Sequence, residues 1–240
     1  MSLFIILHTL ISRFLLFCLS FFIAPFILLV ACFSVQYRFS SRWIFKIVHG
    51  FYQLVRRATL LPIMYSGLEH LPVEPAIFVA NHQSSLDIPL LGILAQGHPH
   101  IWLARGELME TLVIRWILPI FTIVADVTNI RAAALSLRRI FTVLQTTNAH
   151  LMIFPEGSRF DDDQIHPFFN GFVIIAKKMQ RPVIPVYIDG LNKVYPRDSW
   201  FIRRYPVTVI VGQAMHMRPD ESDEHFKERV QSWFFDQLNK

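Results

Sequence analysis

His82 and Asp87 stand five positions apart in FVANHQSSLDIP, residues 78 to 89, directly after an apolar run. An imidazole that gives one ring N–H to a carboxylate keeps its other nitrogen free as a general base. On an unbroken helix five residues turn through about 500°, leaving the two side chains about 140° apart. They can meet if His82 lies in a loop and Asp87 in the first turn beyond it. The competing reading is a plain helix start, with Ser84 or Ser85 as N-cap and Asp87 favouring the helix dipole. The chain has no G-x-S-x-G nucleophile motif. The hydroxyl that such a base would activate therefore has to come from a substrate.

The second stretch is IFPEGSRF, residues 153 to 160. Pro155-Glu156-Gly157 ends an apolar run in a turn, Gly157 permits close backbone approach, and Arg159 offers a forked donor to phosphate or carboxylate. On its own it also reads as an ordinary β-turn carrying a surface arginine.

Both stretches follow candidate strands. From Leu61 onward short apolar runs alternate with helical patterns. PAIFVA, HIWLA, FTIVA, HLMIF, PVIPVYI and VTVIVG read as strands. SLDIPLLGILAQ, ELMETLVIRWIL, Ile130 to Gln145, Gly171 to Met179 and a last helix opened by Pro219 read as helices. The alternation predicts an α/β fold, a largely parallel sheet covered by helices. His82 and Glu156 then lie at strand ends, where such sheets keep their ligands.

Ahead of this domain, Phe14 to Val35 carries no charge and is long enough to cross a bilayer as a helix, with a kink expected at Pro25. A single spanning helix and two shorter helices dipping into one leaflet both fit. Ser41 to Ala58 reads as an amphipathic helix, suited equally to a membrane interface and to packing on the domain. The expected division is a membrane anchor and interfacial helix over residues 1–58 and an α/β domain over 59–240. Arg38, Arg42, Lys46, Arg56 and Arg57 follow the apolar segment, so the positive-inside rule places the domain on the cytoplasmic side.

Composition agrees. Of 240 residues, 53% are hydrophobic and 17% charged, with a formal net charge of +5. A greasy, basic chain suits an anionic membrane surface or an anionic substrate. No Lys/Arg block, zinc-finger spacing or RNA-binding signature points to nucleic acid. Cys18 and Cys32, both in the apolar segment, give neither a disulfide framework nor a zinc site and fit a reducing compartment. The remaining histidines show no zinc-ligand spacing.

Asn-His-x4-Asp at Asn81, His82 and Asp87, then Phe-Pro-Glu-Gly-Ser-Arg about seventy residues later, resembles the glycerolipid acyltransferase family, whose best-known members are the 1-acyl-sn-glycerol-3-phosphate acyltransferases. The resemblance runs from about Leu61 to Met217, and Pro182 and Pro185 look like the family's fourth block. It implies His82 as general base and Asp87 as its orienting acid. It implies acceptor binding by Glu156, Gly157, Ser158 and Arg159, and by Arg131 in the second block. The implied donor is acyl-CoA or acyl carrier protein, the implied acceptor a lysophospholipid, and neither a metal nor a cofactor is expected.

The chain departs from the family pattern on the acceptor side. Asp126 is followed by Val127 and not by arginine, Phe169 stands roughly where many members carry lysine, and Asp161 to Asp163 add negative charge. Acylation of another lysolipid, including transacylation, is the enzymatic alternative. A lipid-binding protein on the same scaffold without turnover is the alternative of another class.

Overall fold

The computed structural model describes residues 3–105, 119–126, 129–160, 162–196 and 199–239. Helices α1 (Leu3–Ala31), α2 (Val35–Ser40) and α3 (Arg42–Ala58) lead into the sheet. There follow β1 (Ile63–Ser66), β2 (Ile77–Ala80), α4 (Asp87–Ile93), β3 (His100–Arg105), β4 (Thr122–Ala125), α5 (Ile130–Thr146) and β5 (His150–Ile153). The chain closes with α6 (Gly171–Met179), β6 (Val183–Asp189), α7 (Leu191–Val194), β7 (Val207–Val211) and α8 (Asp223–Leu238).

The strands form one seven-stranded sheet in the order β1-β7-β6-β2-β5-β3-β4. Every neighbouring pair is parallel except β6 with β7, so the expected largely parallel α/β sheet is present. β2 is buried at all four positions, as a central strand covered on both faces must be. Ile77 and Val79 enter the apolar layer with α3, α5, α6 and α8, while Phe78 and Ala80 enter the one with α4 and α7. β2 lies between β5 and β6, so the loops after β2 and β5 emerge side by side at one sheet edge.

Several elements differ from the sequence expectation. β1, with alternating burial, is an additional strand paired with β7. The last helix begins at Asp223, with Ser222 accepting from the His225 N–H, because Glu221 is already committed to Arg229 and the Arg218 N–H. The helix expected over ELMETLVIRWIL lies outside the described residues.

At the N-terminus, α1 runs unbroken through Pro25 and starts well before the uncharged segment. Among the described residues it is the one helix long and apolar enough to cross a membrane, and only 6% of its most apolar stretch is buried. Its polarity is inverted for a helix in water. His8, Thr9 and Ser12 are buried, while Phe14, Phe17, Phe21 and Phe22 are exposed. Thr9 Oγ1 and the Ile202 main chain exchange hydrogen bonds, His8 Nδ1 also bonds the Ile202 carbonyl, and Arg13 Nε donates to the Trp200 carbonyl. Ser12 reaches the Thr59 carbonyl just past one end of α3, and Phe26 packs edge-to-face on Trp43 at the other. α1 and α3 are thus antiparallel and joined along their length. α3 turns Ile44, Phe45, Val48, Tyr52 and Val55 inward and leaves Trp43, Ile47 and Leu54 exposed. Its Tyr52 ring lies where a Cβ on Gly92 of α4 would sit, so that glycine allows the close approach of α3 to α4.

Candidate active site

The chain leaves β2 at Ala80 and is caught at once. Asn81 Nδ2 donates to the Ile188 carbonyl and Asn81 Oδ1 accepts from the Ile188 N–H, each at 2.8 Å. This two-bond clamp to β6 fixes where the next residue begins. Asn81 took no part in the expected chemistry, although its position beside His82 in the motif and its paired donor and acceptor mark it as a candidate anchor.

His82 lies in the loop, and Asp87 is the first residue of α4. His82 Nδ1 is 2.7 Å from Asp87 Oδ2. The same oxygen accepts from the main-chain N–H of Gln83 at 2.6 Å and of Ser84 at 2.8 Å. The helix-start reading is therefore corrected. Neither Ser84 nor Ser85 is the N-cap; Leu86 occupies that position without a side-chain cap bond. The carboxylate instead reaches back and gathers the preceding loop around itself.

Asp87 is fully buried at 0% exposure, so its charge is held by donors and not by water. The His82 side chain is 17% exposed. With Nδ1–H facing the carboxylate, the lone pair on Nε2 is the one available to a ligand. Phe154, from the end of β5, stacks on the His82 ring at 4.0 Å and 10°, and Trp102 of β3 stacks behind Phe154 at 5.8 Å. The apolar wall restricts the ring's tilt, and its π-face suits a positive imidazolium. Ser84 Oγ donates to the Tyr195 carbonyl, tying the loop to the segment after α7.

The Pro-Glu-Gly-Ser-Arg loop follows β5 and meets the His82 loop directly: the Phe160 N–H donates to the His82 carbonyl at 3.4 Å. Gly157 has φ 71°, the left-handed conformation that lets the chain turn there. Arg159 and Ser158 are half-buried beside this turn, and the Arg159 guanidinium has no partner among the described residues. Glu156, whose carboxyl meets the His82 main chain, is 5% exposed.

Burial is the main reason its carboxyl is pushed up to about 8; a hydrogen bond with the His82 main chain opposes the shift, and Asp87 and Asp162 add to it. One oxygen, Oε1, is buried without a partner among the described residues. A carboxyl that holds its proton more tightly folded than unfolded favours the fold most at pH below its ordinary value of 4.5, and loses that contribution as pH climbs to about 8. Glu156→Gln keeps the shape and the neutral charge without the titration. Its melting temperature is expected to rise relative to wild type between pH 5 and pH 8. Calorimetry that finds the two curves parallel over that range would rule the buried proton out.

Arg131 sits apart from this pair of loops. It is exposed in the first turn of α5, after β4, and β4 is three strands from β2 in the sheet order. At about 4.8 Å per strand that is about 14 Å of sheet. In the acidic run, Asp162 contacts His166, and Asp163 accepts from Asn192 and pairs with Lys193, so both are tied to the protein rather than merely solvated. Asp161 lies outside the described residues. A cavity of about 410 Å³ lined by Lys177, Arg181 and His216 opens before β6, at the opposite sheet edge. Of the cations lining it, Lys177 is committed to Asp223 and Arg181 to the carbonyls of Leu144 and Ala149. Among the described residues no group of three or more His, Cys, Asp or Glu side chains could hold a metal ion.

A sequence model of the family described as Acyltransferase matches residues 62–189, more than half of the chain and the whole of both loops. Curated relatives include a 1-acyl-sn-glycerol-3-phosphate acyltransferase of Pseudomonas aeruginosa, 26% identical over 90% of this chain and 81% of the relative. A chloroplastic one of Brassica napus is 31% identical over 62% of this chain, which spans 44% of that relative's length. The crystal structure of the 1-acyl-sn-glycerophosphate (LPA) acyltransferase PlsC from Thermotoga maritima superposes with a TM-score of 0.78, covering 98% of this chain and 95% of that one. At 22% identity, that likeness speaks for the fold.

Proposed function

The chain belongs to the acyltransferase family, and on that premise we propose that it transfers a fatty acyl group from a thioester to the free hydroxyl of 1-acyl-sn-glycerol-3-phosphate, yielding phosphatidic acid. The observation that carries the reading is the 2.7 Å bond from His82 Nδ1 to buried Asp87, in a chain with no G-x-S-x-G nucleophile motif. His82 Nε2 takes the proton of the acceptor hydroxyl as that oxygen attacks the thioester carbonyl. Asp87 keeps the ring in the Nδ1–H tautomer and stabilises the imidazolium that forms. The tetrahedral intermediate collapses by breaking the C–S bond, and the leaving thiolate receives the proton from His82. Protons and charge balance with the thiol and the ester as products. No step calls for a metal or cofactor.

Arg159, without a partner among the described residues and on the loop joined to His82, is the cation we assign to the acceptor phosphate, with Gly157 and Ser158 shaping the turn beside it. Glu156 supports the His82 main chain. Arg131, farther along the sheet edge, serves the same anion more remotely. The inverted polarity of α1 supports a membrane location, because exposed Phe14, Phe17, Phe21 and Phe22 need an apolar surrounding. Its attachment along α3 favours immersion beside the domain in one leaflet over projection through the bilayer, with the domain on the cytoplasmic side.

A second reading, an acceptor with a different head group, rests on Phe169, which is exposed where a phosphate-binding lysine would suit this family, and on Asp163 nearby. The test uses the full chain in detergent micelles with lysophosphatidic acid and either acyl-CoA or acyl carrier protein as donor. Phosphatidic acid and stoichiometric free thiol are expected with one of the donors. Product only with another lysolipid would overturn the acceptor assignment, and no ester from any lysolipid would overturn the enzymatic reading.

A further inference from the structure

The first carboxylate in the chain is Glu69, whereas Arg13, Arg38, Arg42, Lys46, Arg56 and Arg57 precede it. A second acid-free stretch runs from Asp126 to Glu156 and contains Arg131, Arg138 and Arg139. The fold brings the two stretches together. α2 packs on α5, where Phe39 and Val35 share an apolar layer with Leu137, Ile140 and Phe141. Arg38 Nε is buried there without a hydrogen-bond partner among the described residues. Burial first, and then the charge of nearby Arg139, lower the pKa of the Arg38 guanidinium. Among the described residues no carboxylate pairs with Arg38, Arg42, Arg138 or Arg139. Adjacent cations without a counter-ion repel, and a buried guanidinium N–H without an acceptor is costly. An anion would relieve both.

The position says which anion. α2 is the elbow between apolar α1 and amphipathic α3. Exposed Tyr37 and Trp43 stand at the elbow with their polar ends joined, Trp43 Nε1 donating to Tyr37 Oη at 3.0 Å. Aromatic side chains of this kind mark the depth of lipid headgroups. Resting on the membrane location argued above, we propose that Arg38 and Arg139, with Arg42 and Arg138 as their neighbours in the chain, bind the headgroup phosphates of anionic phospholipids. This surface is distinct from the acceptor loop: it belongs to α2 and α5, not to the turn after β5. It makes attachment to the bilayer depend on surface charge as well as on α1.

The test measures partitioning of the full chain onto phosphatidylcholine vesicles with and without phosphatidylglycerol. Wild type is expected to bind both and to prefer the anionic ones. Arg38→Gln with Arg139→Gln is expected to bind phosphatidylcholine like wild type and to lose the preference by roughly thirtyfold, from two cations at an anionic surface. High salt should bring wild type down to the level of this variant. Arg38→Lys with Arg139→Lys should retain the preference, and Arg139→Gln alone, at an exposed site, should lose part of it with the fold intact. A Gln pair that keeps the full preference overturns the proposal. So does a Gln pair that binds vesicles normally but shows a raised KM for acyl-CoA in micelles, since the anion would then be the donor's. Failure of wild type to bind either vesicle would instead overturn the membrane location itself, while acyl transfer in micelles reports separately on the enzymatic reading.

Discussion

His82→Ala is expected to lower kcat for phosphatidic acid formation by roughly 10²- to 10⁴-fold, the range for loss of a positioned general base. KM for lysophosphatidic acid should change little, because the phosphate is held from the neighbouring loop by Arg159. The substitution leaves Asp87 with two of its three donors, the N–H groups of Gln83 and Ser84, so the loop retains its anchor. Asn81 keeps its clamp on Ile188. The purified variant should therefore melt cooperatively near wild type by circular dichroism and bind membranes as before. A folded variant with more than a tenth of wild-type turnover would remove His82 from the role of base.

Asp87→Asn carries the second large expectation, a loss of roughly 10⁴-fold as at other His–Asp pairs changed in this way. The physical reason lies in the three donors that converge on Asp87 Oδ2. If the amide NH2 faces them, His82 Nδ1 must accept, its proton moves to Nε2, and the base is gone. If the amide oxygen faces them, the geometry survives but the negative charge that supports an imidazolium does not. Burial at 0% exposure prevents water from replacing that charge. Because the two residues act as one unit, His82→Ala combined with Asp87→Asn should be no slower than His82→Ala alone. Losses that multiply in steady-state kinetics of the double variant would show that Asp87 acts on something other than His82.

The residues of this unit were legible as a pair because their chemistry is local. An imidazole and a carboxylate five positions apart, after a buried strand and before a helix, have few ways to be useful together. The alternating runs from Leu61 to Val211 likewise announced a covered parallel sheet, since strands buried on both faces read as unbroken apolar stretches. The start of α4 was not legible. Helix-capping preferences favoured Ser84 or Ser85, but Asp87 forms stronger, charge-assisted bonds to the loop behind it, and these won. The start of α8 was missed for a similar reason: Glu221 is held by Arg229, a partner two helical turns away that a terminus rule does not consider.

Sequence alone determined the chemistry on offer, namely a base with its acid, a turn carrying Arg159, and an apolar segment needing a nonaqueous surrounding. Each depends on residue type and near neighbours. Tertiary structure alone decided which of these groups meet. The order β6-β2-β5-β3-β4 puts the Glu156 loop against His82 and leaves Arg131 three strands away. The same packing laid α1 along α3 with its polar residues inward, and brought Arg38 and Arg139 together from distant parts of the chain. Contacts at such separations depend on how the sheet is ordered and the helices are docked, and no local pattern of residues encodes them.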